Sequence, residues 1–310
     1  MYQEKGCEMI TFFYEMVRRL KKEGRAYWPL VYKINKLLLN LFYPILYGGK
    51  KREKGTDESS PIIISLTTYP ARVGTVWITI TSLLNQTKQP QRVILWLAEE
   101  QFQDKKIPKR LMQLQKRGLE IRYCEDLKPH KKYFYTMQEY PECFVVTADD
   151  DIFYPENHIE NLWKGHEKYP DAIICHWSHK IGIKENKDFE PYNEWTDNGE
   201  DRPSVLNLAV GCNGILYPPG CLPPETFNKE KINQYALRTD DLWLKCMSVR
   251  NNTNVVNCNE TILIYFNILK AQKSGLWKTN TGQEQNNDRV WRALMEAYPE
   301  VKKRLLNAVG

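Results

Sequence analysis

Apolar and polar positions along the chain follow three successive rhythms. Over residues 7–25, Met9, Phe12, Phe13, Met16, Val17 and Leu20 recur at helical spacing among basic residues, which predicts an amphipathic helix. From 26 to 47 the chain is apolar but interrupted by Pro29, Lys33, Lys36 and Pro44. A membrane-spanning helix needs about 20 predominantly apolar residues, so this stretch is expected to lie on a surface. That surface is either an anionic bilayer or the protein's own body, and basic residues flanked by aromatics favour the bilayer. Residues 48–60, with Lys50-Lys51-Arg52, read as a linker.

From Pro61 onward the period switches back and forth. Short apolar runs predict strands at 62–66, 92–97, 119–123, 143–148 and 171–176. Between them, helical spacing predicts helices from Val76 to about Gln86, then at 108–117 (closed by Gly118), 131–140 and 155–168. Strands alternating with helices of this length imply an α/β fold, with a mostly parallel Rossmann-like sheet flanked by helices. After 176 the rhythm stops. Residues 176–203 are aromatic and polar, as in a lid or binding loop. A strand at 215–217, a helix from Thr239-Asp240-Asp241 through Val249 and a last helix at 288–306 complete the pattern. The expected organisation is a helical extension and linker over 1–58 and one α/β domain over 59–310. Within that domain, 61–176 forms a first half and 177–290 a second.

Charge sharpens this division. Residues 1–58 hold 12 Lys/Arg against 7 Asp/Glu, whereas the remainder holds 32 against 31. The body is nearly neutral, which argues against a nucleic-acid binder. The eight cysteines form no CxxC pair, and no secretory signal opens the chain. A reducing cytosol is therefore the expected compartment.

The candidate chemistry centres on Asp149-Asp150-Asp151, directly after the apolar run 143–148. Open α/β sheets bind ligands at the C-terminal edges of their strands. Adjacent carboxylates repel one another, which favours a bound cation, and hard oxygen ligands suit Mg²⁺ or Mn²⁺, here on Asp149 and Asp151. The plainer alternative is a solvated acidic turn. Asp240 and Asp241 also have two readings, as first-turn acids that favour the helix dipole behind an N-cap at Thr239, or as carboxylates that act on a substrate hydroxyl.

These residues carry a resemblance. Ser65-Leu66-Thr67-Thr68-Tyr69 with Arg72 close behind, Thr147-Ala148-Asp149-Asp150-Asp151 and Thr239-Asp240-Asp241, in this order, resemble the nucleotide-binding strand, the DxD motif and the late acidic motif of GT-A glycosyltransferases. With His130-Lys131-Lys132-Tyr133 upstream of the DxD, the order is similar to bacterial polysaccharide glycosyltransferases and distantly to the exostosin-type domain. The match covers about residues 61–290. It implies a GT-A fold, with an acceptor-side subregion, that binds a nucleotide-sugar donor, commonly a UDP-sugar, with a divalent metal. Donor contacts then fall to Thr67, Thr68, Tyr69, Arg72, Lys131, Lys132, Asp149 and Asp150, and the catalytic role to Asp241 or Asp240. The stretch with Trp177, His179, Tyr192 and Trp195 is read as an acceptor wall or as aromatic packing of a loop. Gly211 and Gly214, with Asn213, allow close backbone approach or mark a bulge. Many members of that family complete the metal site with a C-terminal His; the chain has no His after His179, a departure that leaves the third metal ligand open. Asn280 to Asp288 offers either substitute oxygens or a polar loop capping the last helix.

The expected partners are a nucleotide sugar and a saccharide or glycolipid acceptor, at the inner face of a bacterial plasma membrane. Two alternatives keep the same fold: a catalytically silent sugar-binding protein, and a nucleotidyltransferase. The latter would want a glycine- and basic-rich phosphate loop, which 67–73 lacks. A glycoside hydrolase would need two carboxylates flanking the scissile bond and no diphosphate site.

Overall fold

The computed structural model describes residues 8–47, 54–103, 107–197, 202–259, 263–274 and 286–308. The basic run Lys50-Lys51-Arg52 and the polar segment from Thr279 to Gln285 lie outside the described residues.

Helices α1 (Met9–Lys22) and α2 (Trp28–Tyr47) open the chain. The expected alternation follows: β1 (Ile62–Thr67), α3 (Val76–Leu84), β2 (Arg92–Ala98), α4 (Lys109–Leu114), β3 (Leu119–Cys124), α5 (Lys131–Glu139) and β4 (Phe144–Ala148). Next come β5 (Ile152–Phe153), α6 (His158–Lys168) and β6 (Ile173–Cys175). The aperiodic stretch contains β7 (Ser178–Lys180) and β8 (Thr196–Asp197), which form a small sheet with β9 (Asn207–Ala209). The rest is β10 (Ile215–Tyr217), α7 (Lys229–Tyr235), α8 (Asp240–Arg250), β11 (Val255–Asn257), β12 (Phe266–Asn267), α9 (Asn286–Ala297) and α10 (Pro299–Asn307).

The main sheet has seven strands in the order β11-β6-β10-β4-β1-β2-β3. Only β10 runs antiparallel to its neighbours; the other pairs are parallel. The chain winds outward from β1 through β2 to β3, then returns to place β4 on the other side of β1. This reversal opens a crevice at the C-terminal ends of β1 and β4, where doubly wound sheets bind ligands. Both faces of the sheet are covered, as parallel strands require. Ile62, Ile64 and Leu66 point into a core shared with α1, α2, α3, α4 and α6. The opposite core joins residues of α5, α7, α8, α9 and α10 to Ile173, Ile215 and Val255. Polar groups fasten α5 to the sheet: the hydroxyls of Ser65 and Thr136 lie 2.7 Å apart, and Trp96 Nε1 donates to Thr136 Oγ1 at 2.8 Å.

One expectation about the ends of the chain changes. The single helix over 288–306 is two helices, because Pro299 has no N–H to continue the ladder and its ring starts α10 afresh. At the other end, the apolar stripe of the first amphipathic helix packs on the protein's own body. Ile10 and Val17 are fully buried and Tyr14 nearly so, and the Tyr14 hydroxyl donates to the Leu263 carbonyl at 3.1 Å. Buried Glu156 accepts from the backbone N–H and hydroxyl of Thr11, both at 2.8 Å, and so ties down the start of α1. Helix α2 is continuous and buries Asn35, Leu39 and Tyr43 on its inner face, while its outer face stays exposed. No described helix is long and apolar enough to cross a membrane.

Candidate active site

A cavity of ≈ 1180 Å³ lies over the C-terminal ends of β1 and β4, between the first turns of α5 and α8. It is large enough for a nucleotide-sized ligand together with a second molecule. The β1–β4 register pairs Leu66 with Ala148, so the residues two positions further on, Thr68 and Asp150, face each other. Thr68 Oγ1 donates to Asp150 Oδ2 at 2.5 Å, and Arg72 Nη1 reaches Asp150 Oδ1 at 2.6 Å and Asp151 Oδ2 at 3.1 Å. Both oxygens of the buried Asp150 are thus used inside the chain, latching the two strand ends together. Asp150 nonetheless lines the cavity, and it enters that wall with a hydrogen bond already held by each oxygen.

A second cation lies across the cleft. The buried Lys132 ammonium is 3.1 Å from Asp149 Oδ1 and 2.8 Å from Asp240 Oδ2. It therefore bridges the acidic run after β4 to the first turn of α8. Burial opposes its charge, but Asp149, Asp240 and Asp241 outweigh this and hold the ammonium firmly protonated. Burial likewise opposes the charge of Asp240, yet Lys132 keeps that carboxyl below the usual carboxylate range.

Asp241 behaves differently. Its Oδ2 accepts from the Gly211 backbone N–H at 3.2 Å, while Oδ1 has no hydrogen-bond partner. Burial first, then the neighbouring Asp240, push its carboxyl up to about 7, against the pull of Lys132. Space is tight at Gly211, where a Cβ would lie 3.0 Å from Asp241 Oδ1 and 3.1 Å from Lys132 Nζ and would press on both charged groups. Thr239 occupies the N-cap position of α8, but its side chain makes no capping bond to the helix. Its hydroxyl donates back to the Ala236 carbonyl instead, at 3.4 Å.

A divalent cation would need oxygens that the chain leaves available. Asp149 Oδ1 faces Lys132, and Asp151 Oδ2 takes Arg72 together with Gln272 Nε2, the latter at 2.7 Å. The second oxygen of each carboxylate has no such partner among the described residues. Burial, and next the charge of Asp149, raise the Asp151 carboxyl to about 6, so the pair is poised to gain from added positive charge. No set of three His, Cys, Asp or Glu side chains is gathered for a metal among the described residues. Two carboxylates fit Mg²⁺ or Mn²⁺ when substrate phosphates supply the remaining ligands.

The other expected residues divide. Thr67, Tyr69, Lys131, Trp177 and His179 line the cavity, as does Tyr192. Thr67 spends its hydroxyl on the Trp96 carbonyl at 2.9 Å, and Lys131 pairs with Asp126. Trp177 Nε1 donates to Asp197 at 2.8 Å, and its ring meets His179 edge-on. Trp195 does not reach the cavity. It is buried behind Tyr192 against Trp291, with its Nε1 on the Glu190 carbonyl. Asn213 is also buried, donating to the Leu263 carbonyl and accepting from the Tyr265 N–H. Gly214, at φ +82°, closes a turn against His158. These three support the walls and do not form them. Asp288 lies in the first turn of α9 and accepts from the Tyr192 N–H at 2.7 Å.

Asp126, Gln272 and Asn267 line the cavity without having been singled out, and Asn287 joins them from the stretch Asn280 to Asp288. Asp126 had a usable signal, since it lies two positions past the end of β3, much as the acidic run follows β4. Gln272 and Asn267 come from a segment without clear periodicity.

No protein-family model and no curated protein sequence matches the chain. Among solved structures, the fold is similar to TarS 1-349 from S. aureus, at 12% identity and a TM-score of 0.35, covering 66% of this chain and 58% of that one. It is also similar to the mannosyltransferase PcManGT from Pyrobaculum calidifontis in complex with GDP-Man and Mn²⁺, at 12% identity and a TM-score of 0.46, covering 98% and 86%. A third likeness is CMP:2-keto-3-deoxy-manno-octonic acid synthetase complexed with CTP, at 11% identity and a TM-score of 0.34, covering 63% and 87%. Likenesses this distant do not identify an activity, which has to be argued from the site.

Proposed function

We propose that the protein is a GT-A-type glycosyltransferase that takes a nucleotide-sugar donor, with a UDP-sugar as the first candidate, and transfers the glycosyl group to a hydroxyl of a saccharide or glycolipid acceptor. The observation that carries this reading is Asp241. The residue lines the cavity beside the cation Lys132, its carboxyl titrates near neutrality, and its buried Oδ1 holds no hydrogen bond. A general base needs a pKa near the working pH and acceptor capacity to spare. In this reading the Asp241 carboxylate takes the proton of the acceptor hydroxyl, whose oxygen attacks the anomeric carbon while the bond to the diphosphate breaks. Arg72 and Lys132 stand beside the acidic run and stabilise the charge developing on the departing diphosphate. Mg²⁺ or Mn²⁺, held by Asp149 and Asp151 together with the diphosphate, would add Lewis-acid neutralisation. Trp177, His179 and Tyr192 supply the flat and hydrogen-bonding surfaces that a sugar ring recognises. Residence at the inner face of a bacterial membrane belongs to the same reading.

The test is calorimetric titration of UDP, GDP and CMP, with and without Mn²⁺, into the full chain and into Asp151→Asn. UDP binding that the metal strengthens and Asp151→Asn abolishes is the expected result. The metal alone should bind weakly, because the phosphates complete its ligand set. Absence of nucleotide binding under every condition would overturn the assignment and leave the silent sugar-binding reading.

A further inference from the structure

Helix α2 has two unlike faces. Its inner face grips the segment around β12: the Asn40 side chain donates to the Asn267 carbonyl at 3.0 Å and accepts from the Leu269 N–H at 2.8 Å. Its outer face carries Leu30, Ile34, Leu37, Leu41 and Ile45, spaced i, i+4, i+7, i+11 and i+15, which is one stripe of an α-helix. None of them is covered; Leu30 is 60% and Ile45 70% exposed, and Phe42 beside them is 46% exposed. Single exposed leucines are ordinary on a soluble surface, whereas a continuous stripe of them marks a contact.

Charge selects the partner. Over residues 8–47 the two N-terminal helices and their link hold seven Lys/Arg (Arg18, Arg19, Lys21, Lys22, Arg25, Lys33 and Lys36) against three Asp/Glu (Glu8, Glu15 and Glu23). A surface with this net positive charge repels a second copy of itself and is complementary to an anionic one. With no described helix long and apolar enough to cross, the apolar stripe is suited to lying in the plane of an interface. We propose that the outer face of α2 docks on an anionic lipid bilayer, its aliphatic side chains entering the boundary between headgroups and acyl chains. Because α2 holds the segment that brings Asn267 and Gln272 to the cavity, docking would keep the cleft close to the bilayer. The docking itself does not depend on the chemistry proposed for the cleft.

The test is co-sedimentation of the full chain with vesicles of phosphatidylcholine, alone or mixed with phosphatidylglycerol. Expected are binding to the mixed vesicles, weakening with salt, and a loss of partitioning of about tenfold per residue in Leu37→Ser, Leu41→Ser and Ile45→Ser, with unchanged melting temperatures. The proposal is overturned if the wild-type chain stays in the supernatant, or if the triple variant binds vesicles as well as wild type. It is also overturned if the chain is a dimer that the substitutions dissociate and that ignores vesicles. Vesicle binding without nucleotide binding would count against the glycosyltransferase reading alone.

Discussion

Asp241 and Lys132 show how far a site depends on single side chains. Folding raises the Asp241 carboxyl from an ordinary 3.8 to about 7, through burial and then Asp240. The folded state therefore binds a proton more tightly than the unfolded chain, so this residue costs stability as pH rises from about 4 to about 7 and no more above that. Asp241→Asn should accordingly raise the melting temperature at pH 8 by a few degrees, with the gain shrinking toward pH 4, while transfer falls by about 10²–10⁴-fold. A variant with full turnover would remove Asp241 from the mechanism. In the wild type, the transfer rate should rise through an acid limb centred near pH 7. Lys132→Met leaves Asp149 and Asp240 without their shared cation, and should destabilise the fold by about 3–5 kcal/mol, read by denaturant titration. It should also move that acid limb upward, since Lys132 opposes the rise of the Asp241 carboxyl. A limb that stays in place would show that some other group sets it.

At the scale of elements, the site depends on how α5 is fixed to the sheet. Lys131 and Lys132 stand at its first turn, and one polar cluster of Ser65, Trp96 and Thr136 sets its position on β1 and β2. Thr136→Val keeps the shape but strands the Trp96 N–H in a buried place. The expected loss is about 1–3 kcal/mol, with Thr136→Ser restoring most of it because the hydroxyl returns. Equal stability of the Val and Ser variants in chemical denaturation would show that the cluster is not what holds α5. The alternation of β1 to β4 with α3 to α5 was legible because period-two and period-3.6 patterns are local properties of the chain. The wall formed by Trp177, His179 and Tyr192 was legible only as a composition. Nothing in the spacing of the aromatics separates Trp195, which turns inward onto Trp291, from Trp177, which lines the cavity.

At the scale of the whole molecule, α1 and α2 belong to the core they precede. Ile10, Tyr14, Val17, Leu39 and Tyr43 share one apolar cluster with the strands, and Glu156 depends on α1 for its hydrogen bonds. Each such side chain contributes about 1.5–3 kcal/mol by burial. Removing residues 1–47 should therefore yield aggregated or unfolded protein. A soluble truncation with the full-length melting temperature would restore the picture of a detachable extension.

The sequence by itself determined the α/β alternation and the placement of carboxylates after β4 and at the start of α8. Both follow from short-range periodicity, and strand ends are where ligand chemistry collects in such sheets. Only the tertiary structure decided what each carboxylate does. Asp150 became a latch because the β1–β4 register sets it opposite Thr68 and Arg72, and Asp241 kept a free oxygen because Lys132 went to Asp149 and Asp240. It also decided that the stripe of α1 turns inward while α2 keeps an exposed one. These outcomes depend on pairings between residues tens to hundreds of positions apart, and hydrophobic periodicity records that a face is apolar without recording what covers it.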